Sequence, residues 1–359
     1  MKVLFVTPSF SKGGAEKNML NIINSLNEEF EVHLCVCIGN AEYSRLINKN
    51  IQLTLIKKRS VSSSIMEIFQ NILRNKPEIV FSSALHIAIP ILAFKWLFRL
   101  KFFSIVRVPS LPSNQLEKKG LKNTVLLKLI KLLLRTADKV IAQSAEMRDE
   151  IITYYNLKPI KVKVISNIVD SVTINNLAKE EVILSKNRIK FVAAGSLYSA
   201  KGFDILIKAF SIFIKKHSNS VLYILGDESV EFGYRAKLLD LINQLGVQED
   251  IFLLGFQNNP YKFFNASDVF ILSSIKEGFP NVVLENLFLK KPVLVTNCVN
   301  FTNIINENNG IIIEKGSVEE MVKGLEKIIC LNPSKTRISN FDFNKWFKKI
   351  VNESSPRNQ

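Results

Sequence analysis

This chain predicts two doubly wound α/β domains in tandem, on three observations. Its 359 residues are too many for one ordinary core and suit two of about 150–200 residues each. Short apolar runs alternate with amphipathic stretches, as parallel strands joined by helical crossovers do. The alternation breaks once, in the charged stretch Ser171–Asn187, which reads as a linker between residues 1–170 and 188–340, and then it restarts.

In the first half a strand is expected at Lys2–Thr7. The loop "PSFSKGG" follows, then a helix from Ala15 to about Asn27 with Met19, Leu20, Ile23 and Leu26 on one face. Further strands read at Val32–Ile38, Ile51–Leu55, Ile79–Phe81, Phe103–Val106 and Lys139–Ala142, with helices at Ser64–Asn75, Ile87–Phe98 and Leu121–Arg135. The second half gives strands at Lys190–Ala194, Val221–Leu225, Ile251–Leu254, Val269–Leu272, Pro292–Thr296 and Gly310–Ile313. Its helices fall at Phe203–His217, Phe232–Leu245, Asn281–Leu289 and Val318–Ile329. A last amphipathic helix, about residues 341–355 with Trp346, Phe347 and Ile350, has no strand after it and is expected to pack back on the first domain. Such sheets bind ligands beyond the carboxyl ends of their strands, and two lobes imply a cleft.

Composition narrows the classes. Residues 1–170 hold 25 Lys/Arg against 13 Asp/Glu, and the remainder 23 against 19, so the formal charge of +16 is concentrated in the first half. A surface of that kind suits nucleic acid, anionic lipid or a phosphorylated substrate. Cys35, Cys37, Cys298 and Cys330 form no C-x-x-C pair and read as reduced thiols of a cytoplasmic protein, with no metal site. The opening "MKVLFVTPSF" reads as a first strand rather than a signal peptide. The longest apolar stretch, Ile79–Phe94, contains His86 and Pro90 and is shorter than the roughly 20 residues that span a bilayer.

Neither G-x-G-x-x-G nor G-x-x-x-x-G-K-[ST] occurs, which removes the two commonest nucleotide fingerprints of α/β proteins. The signals that remain sit at strand ends. In "KEGFPNVVLE", Glu277 lies in a loop and Glu285 on the helix that follows. An acid ahead of a helix N-terminus is ordinary. Glu285 is less so, because its helix is apolar nearly all round and a buried carboxylate needs a partner. A ribose diol is one such partner, and the free amides of Asn281, Val282 and Val283 can hold a phosphate. In "FVAAGSLYSAKGFDILIKAF", Lys201 stands near a helix start, against the dipole, which suits either an anion or a solvated surface. Gly13-Gly14 is either a tight turn or a close approach to a ligand, and His86 either a structural histidine or a sugar contact.

The segments "GGAEKNML", "ADKVIAQSAEMRDEI", "KVKVISNIVD", "GSLYSAKGFDILIKAF", "GFQNNPYKFFNASDVFILSS" and "EGFPNVVLENLFLKKPVLVTN" resemble, in sequence and order, the retaining glycosyltransferases of family four, over essentially the whole chain. The resemblance implies the GT-B fold, two Rossmann-like domains facing a cleft. It implies Glu277, Lys201 and His86 as the catalytic set: Glu277 on hydroxyls of the donor sugar, Lys201 on the diphosphate, His86 towards the transferred sugar. It implies donor binding by Gly14, Gly195, Ser196, Lys201, Phe256, Asn281, Val282, Val283 and Glu285, with Phe256 lining the nucleobase pocket and Glu285 on the ribose. Two positions depart from the pattern: Ser196 stands where arginine is common, and Asn303 where a further glutamate is common.

Function follows as an expectation: transfer of a hexosyl or N-acetylhexosaminyl group from a nucleotide sugar, with a lean towards UDP, to a saccharide acceptor. The anomeric configuration is kept, no protein nucleophile is assigned, and neither cofactor nor metal takes part. A nucleotide-sugar epimerase of the same fold, or a degenerate binding subunit without activity, is the alternative. Lys118–Arg135 alternates Lys118, Lys119, Lys122, Lys128, Lys131 and Arg135 with leucines and holds no acid. That segment is either a helix with a solvated basic edge or an interfacial surface that brings the enzyme, peripheral at the inner face of the plasma membrane, to a lipid-linked acceptor in surface-polysaccharide synthesis. No aromatic platform is interleaved with these charges, which argues against nucleic acid.

Overall fold

The structure, a computed structural model, describes residues 1–11, 14–26, 28–39, 42–109, 121–165, 167–228, 231–331 and 345–349. The chain divides into two compact units, Met1–Ile168 with the C-terminal segment, and Val169–Ser339.

In the first unit the strands are Lys2–Thr7 (β1), Glu31–Ile38 (β2), Gln52–Lys58 (β3), Ile79–Ser82 (β4), Phe103–Arg107 (β5), Lys139–Ala142 (β6) and Val162–Val164 (β7). They form one seven-stranded sheet in the order β3-β2-β1-β4-β5-β6-β7, and every pair is parallel. The helices are Gly14–Asn24 (α1), Val61–Asn75 (α2), Leu85–Leu97 (α3), Leu121–Leu134 (α4) and Ala145–Tyr155 (α5). Alternation along β1 sends Val3 and Phe5 to one face, where α1 packs, and Leu4 and Val6 to the other, where α2 and α3 pack. On that second face α3, α4 and α5 share a further core around Val106, Leu134 and Met147. Helix ends obey local chemistry. Ser60 and Ser63 make a capping box at the start of α2, and Lys76 closes it in the left-handed region at φ 45°.

The second unit contains Ile189–Ala194 (β8), Ser220–Leu225 (β9), Ile251–Gly255 (β10), Val269–Leu272 (β11), Val293–Thr296 (β12) and Gly310–Ile313 (β13). These lie parallel in the order β10-β9-β8-β11-β12-β13. Its helices are Ser171–Leu177 (α6), Phe203–Phe213 (α7), Tyr234–Leu245 (α8), Tyr261–Ala266 (α9), Asn281–Phe288 (α10) and Val318–Ile328 (α11). Helices α7, α8 and α11 cover one face; α6, α9 and α10 cover the other.

Strand order reverses beside β1 in the first unit and beside β8 in the second. Crossovers leave these strands in opposite directions, which opens a crevice at the carboxyl ends of β1 and β4 and of β8 and β11.

The linker expected at Ser171–Asn187 is corrected. It carries α6, capped by Asp170 Oδ1 on the Thr173 amide at 3.0 Å, and Ile174 and Ala178 are buried. Asn259 and Asn265 donate to the carbonyls of Leu177 and Ala178 at 2.8 and 2.9 Å, and the Tyr223 hydroxyl bonds Ser185. Two apolar residues four apart were hidden among charges. Helix α5 was absent from the expectation for a similar reason: it buries only Met147, Ile151 and Tyr155, a stripe one residue wide. Strand β7 and α9 are simply short, three and six residues.

Of the expected helix at residues 341–355, residues 345–349 are helical and the rest lie outside the described residues. Phe347 is buried against Phe5 and Phe30, with ring centroids 6.5 and 5.1 Å away, and Lys348 pairs with Glu29 at 2.7 Å.

Candidate active site

At the carboxyl ends of β8, β9 and β10 stand Gly195, Gly226 and Gly255. Gly226 has φ 138°, and a Cβ there would stand 1.8 Å from the Gly195 carbonyl oxygen. The Gly226 amide donates to Gly255 O at 2.8 Å, and the Gly195 amide to Leu225 O at 3.0 Å. Three neighbouring strands therefore end in glycines, and a side chain at Gly226 would collide with the Gly195 carbonyl, so glycine there permits the close approach of β8 and β9. Half-exposed Phe256 comes immediately after Gly255.

Lys201 ends a single turn of 3-10 helix, Ser199–Lys201, ahead of α7. Gly202 follows at φ 63°, where a Cβ would come 2.3 Å from the Ser273 carbonyl. That contact, with Ser273 Oγ donating to Lys201 O and the Ile275 amide to Ala200 O, both at 2.8 Å, seats the Lys201 turn against the loop after β11. The same loop carries Glu277. Lys201 Nζ donates to Glu277 Oε1 in an ion pair whose side chains are only 17% and 12% exposed, and Ser274 Oγ donates to the same oxygen at 2.8 Å. The stem of Lys201 crosses Gly195, where a Cβ would touch its Cε at 3.3 Å, and its ammonium lies 5.8 Å from the Tyr198 ring centre. Ser196 adds no charge here.

Glu285 is 4% exposed on α10. The Tyr261 hydroxyl of α9 donates to its Oε1 at 3.4 Å, so one partner the sequence demanded for this carboxylate comes from a helix the sequence did not reveal. One expectation is corrected: the Val283 amide is not free, because it donates to Pro280 O at 3.2 Å. Proline at the N-cap offers no side-chain oxygen, and the turn closes on a backbone carbonyl instead. Asn303 is exposed. Buried Cys298 borders the Lys201 and Glu277 charges, and burial pushes its thiol up to about 11, so it stays protonated.

The first unit holds the other implied residues at its own switch point. Gly14 opens α1 and His86 lies in the first turn of α3, both exposed; Gly13 lies outside the described residues. Although the His86 imidazole is exposed, partial desolvation by the surrounding protein holds its pKa below the ordinary 6.5. Beside this edge lies a polar network that sequence reading missed. Arg107, at the end of β5, is buried and donates to Asn167 Oδ1 at 3.0 Å. Burial lowers its pKa to about 10, a shift that Glu16 opposes, and Ser9 Oγ donates to Glu16 at 2.6 Å. Nothing in the pattern around a lone arginine on a strand distinguishes this from a surface position. Among the described residues no cluster of His, Cys, Asp or Glu could hold a metal ion.

Two family descriptions match the chain: "Glycosyltransferase Family 4" over residues 12–172 and "Glycosyl transferases group 1" over residues 175–342. The chain belongs to the family four, group 1 glycosyltransferases. An uncharacterized glycosyltransferase of Methanocaldococcus jannaschii, MJ1059, is 30% identical over 70% of this chain, which spans 64% of that protein. The N-acetylgalactosamine-N,N'-diacetylbacillosaminyl-diphospho-undecaprenol 4-alpha-N-acetylgalactosaminyltransferase of Campylobacter jejuni is 25% identical over 93% of this chain and 94% of its own length. Among solved structures, Anabaena Alr3699/HepE in complex with UDP and glucose superposes with a TM-score of 0.77 at 19% identity, covering 98% of this chain and all of that one. The fold is GT-B.

Proposed function

We propose that this glycosyltransferase transfers a hexosyl or N-acetylhexosaminyl group from a UDP-sugar to a lipid-linked saccharide, with retention of configuration, in surface-polysaccharide assembly at a membrane. The observation that carries the proposal is the shielded pair of Lys201 and Glu277 at the carboxyl ends of β8 and β11, with the Lys201 stem lying over Gly195. A diphosphate arriving over Gly195 takes Lys201 as its counter-ion and frees Glu277 to orient the sugar hydroxyls. Glu285, with Tyr261 beside it, receives the ribose. In the transfer step the bond from the anomeric carbon to the diphosphate oxygen breaks, and the acceptor oxygen bonds the same face. The acceptor proton goes to the departing phosphate. Charge growing on that phosphate is stabilised by Lys201, and no metal or cofactor is needed in this account.

Relatives support the reading of the substrates. The Campylobacter jejuni enzyme carries a diphospho-undecaprenol acceptor in its name, and the solved HepE holds UDP and glucose. A panel of nucleotide sugars assayed by release of nucleoside diphosphate, with and without EDTA, is the test. Release from a UDP-sugar that survives EDTA is expected; release from no donor, or only with added divalent metal, overturns the proposal. A degenerate binding protein is the second reading, favoured by the uncharged Ser196. It predicts an inactive natural chain that gains turnover in Ser196→Arg.

A further inference from the structure

The helical layer of the first unit exposes apolar side chains at one end. Helices α2, α3 and α4 each run back from the carboxyl to the amino edge of the sheet, so their C-terminal turns share the amino edge. There Leu73, Trp96, Leu97, Phe98 and Leu132 are 46%, 69%, 64%, 53% and 61% exposed, and Leu129, one turn earlier on α4, is 46% exposed. The anchors are held rigidly. Phe69 of α2 stacks on Phe94 of α3 at 4.2 Å and meets Phe98 at 5.1 Å. Exposed cations alternate with them: Arg74, Lys76, Arg99, Lys101, Lys128 and Arg135. None of these six stands in an ion pair among the described residues. Nearby acids are occupied, Glu67 by Lys58 at 2.8 Å and Asp138 by Lys95 and Ser104.

Cations at helix C-termini are favoured by the dipole without any ligand, and this accounts for Arg74, Lys76 and Arg99. It does not account for a tryptophan, a leucine and a phenylalanine in succession facing water. Exposed apolar groups of this extent mark a contact surface. The unpaired positive charge selects the partner. A second copy of the chain would bring the same cations face to face. Stacked nucleobases need rings, and four of these six exposed apolar side chains are leucine. No described helix is long and apolar enough to cross a membrane, so the face can lie on a bilayer but not in it.

We propose that the amino edge of α2, α3 and α4 docks on an anionic lipid surface, with Trp96, Leu97 and Phe98 inserted at the headgroup boundary and the six cations on the lipid charges. This rests on the membrane location proposed above, and it leaves the crevice at the carboxyl ends of β1 and β4 on the edge away from the lipid. It also moves the contact away from Lys118–Lys122, of which residues 118–120 lie outside the described residues, to the ends of three helices.

The chain has two tryptophans, so Trp346→Phe leaves Trp96 as the only emitter. With vesicles mixing phosphatidylcholine and phosphatidylglycerol, its fluorescence should shift to the blue and be quenched by lipids brominated near the headgroup. Pure phosphatidylcholine should give little change, and salt should reverse the shift. Trp96→Ser with Leu97→Ser should lower vesicle partitioning by about tenfold or more; these side chains are 69% and 64% exposed, so folding is unaffected and circular dichroism should match the parent. Unchanged Trp96 emission with anionic vesicles, equal partitioning of the double variant, or self-association in light scattering that the double variant abolishes would each overturn the proposal. Nucleoside diphosphate release measured without vesicles separates the two readings. Lipid insertion by a chain that turns over no donor leaves the surface standing and removes the transferase.

Discussion

Glu277→Gln should tighten the binding of UDP while it slows transfer, because Glu277 competes with the diphosphate for Lys201 in the free protein. The pair is shielded, with side chains 17% and 12% exposed, and it lies between the exposed pairs that contribute up to about 1 kcal/mol and the buried pairs in which desolvation offsets much of the attraction. Freeing Lys201 from it is therefore worth about 1 kcal/mol to an incoming anion, roughly fivefold in Kd. The new amide keeps its place, since Ser274 Oγ still donates to the oxygen it meets now. Lys201→Ala acts in the opposite direction. It removes one charge-assisted hydrogen bond to the phosphate, about 1.5–3 kcal/mol, so UDP should bind roughly 10- to 200-fold more weakly. Calorimetric titration of UDP into the natural chain and both variants measures this directly. Release of nucleoside diphosphate from the donor should fall about tenfold or more in Glu277→Gln, where the sugar loses a charged acceptor. If both substitutions weaken UDP binding to the same extent, Glu277 does not compete for Lys201, and the exchange of partners is wrong.

Other perturbations test other parts. Glu285→Gln should weaken UDP binding, and Tyr261→Phe should do so less, by at most about 1 kcal/mol because its bond of 3.4 Å is long; titration with UDP and with UMP locates the loss on the ribose if both weaken alike. Gly226→Ala should destabilise the second unit by about 3 kcal/mol or more, since its Cβ would lie 1.8 Å from Gly195 O at φ 138°; an unchanged denaturation midpoint would refute the close approach of β8 and β9. His33 should make stability fall as pH drops. Its Nδ1 accepts from Asn75 Nδ2 at 3.1 Å, and its Nε2 then donates to Thr54 Oγ1 at 2.7 Å, so only the neutral ring is satisfied. Burial holds its pKa below 6.5, against the pull of Glu31. The unfolded chain therefore takes up the proton first, and stability declines as pH falls below about 6.5 and levels off below the folded pKa. Urea midpoints across this range should flatten in His33→Gln, and an unchanged slope would exclude the effect.

Periodicity and motif carried most of the fold. The strands from β1 to β13, apart from β7, were readable because each is a short apolar run between turn signals, and burial on both faces of a parallel sheet selects for that. The residues of the candidate site were legible for a different reason: a lysine against a helix dipole and a glutamate on an apolar helix contradict local preference, and such contradictions mark positions that serve something other than local structure. Only the tertiary structure decided which of them meet. Lys201 and Glu277 are 76 residues apart in the chain, and they pair because β8 and β11 are neighbours at the point where strand order reverses. Tyr261 reaches Glu285 from a six-residue helix, and Arg107 is buried against Asn167, by packing that no local pattern encodes. The exposure of Trp96, Leu97 and Phe98 was hidden as well. In sequence they continue the apolar run of α3, and whether an apolar residue at a helix end is covered depends on the neighbouring elements, which the chain supplies at distant positions.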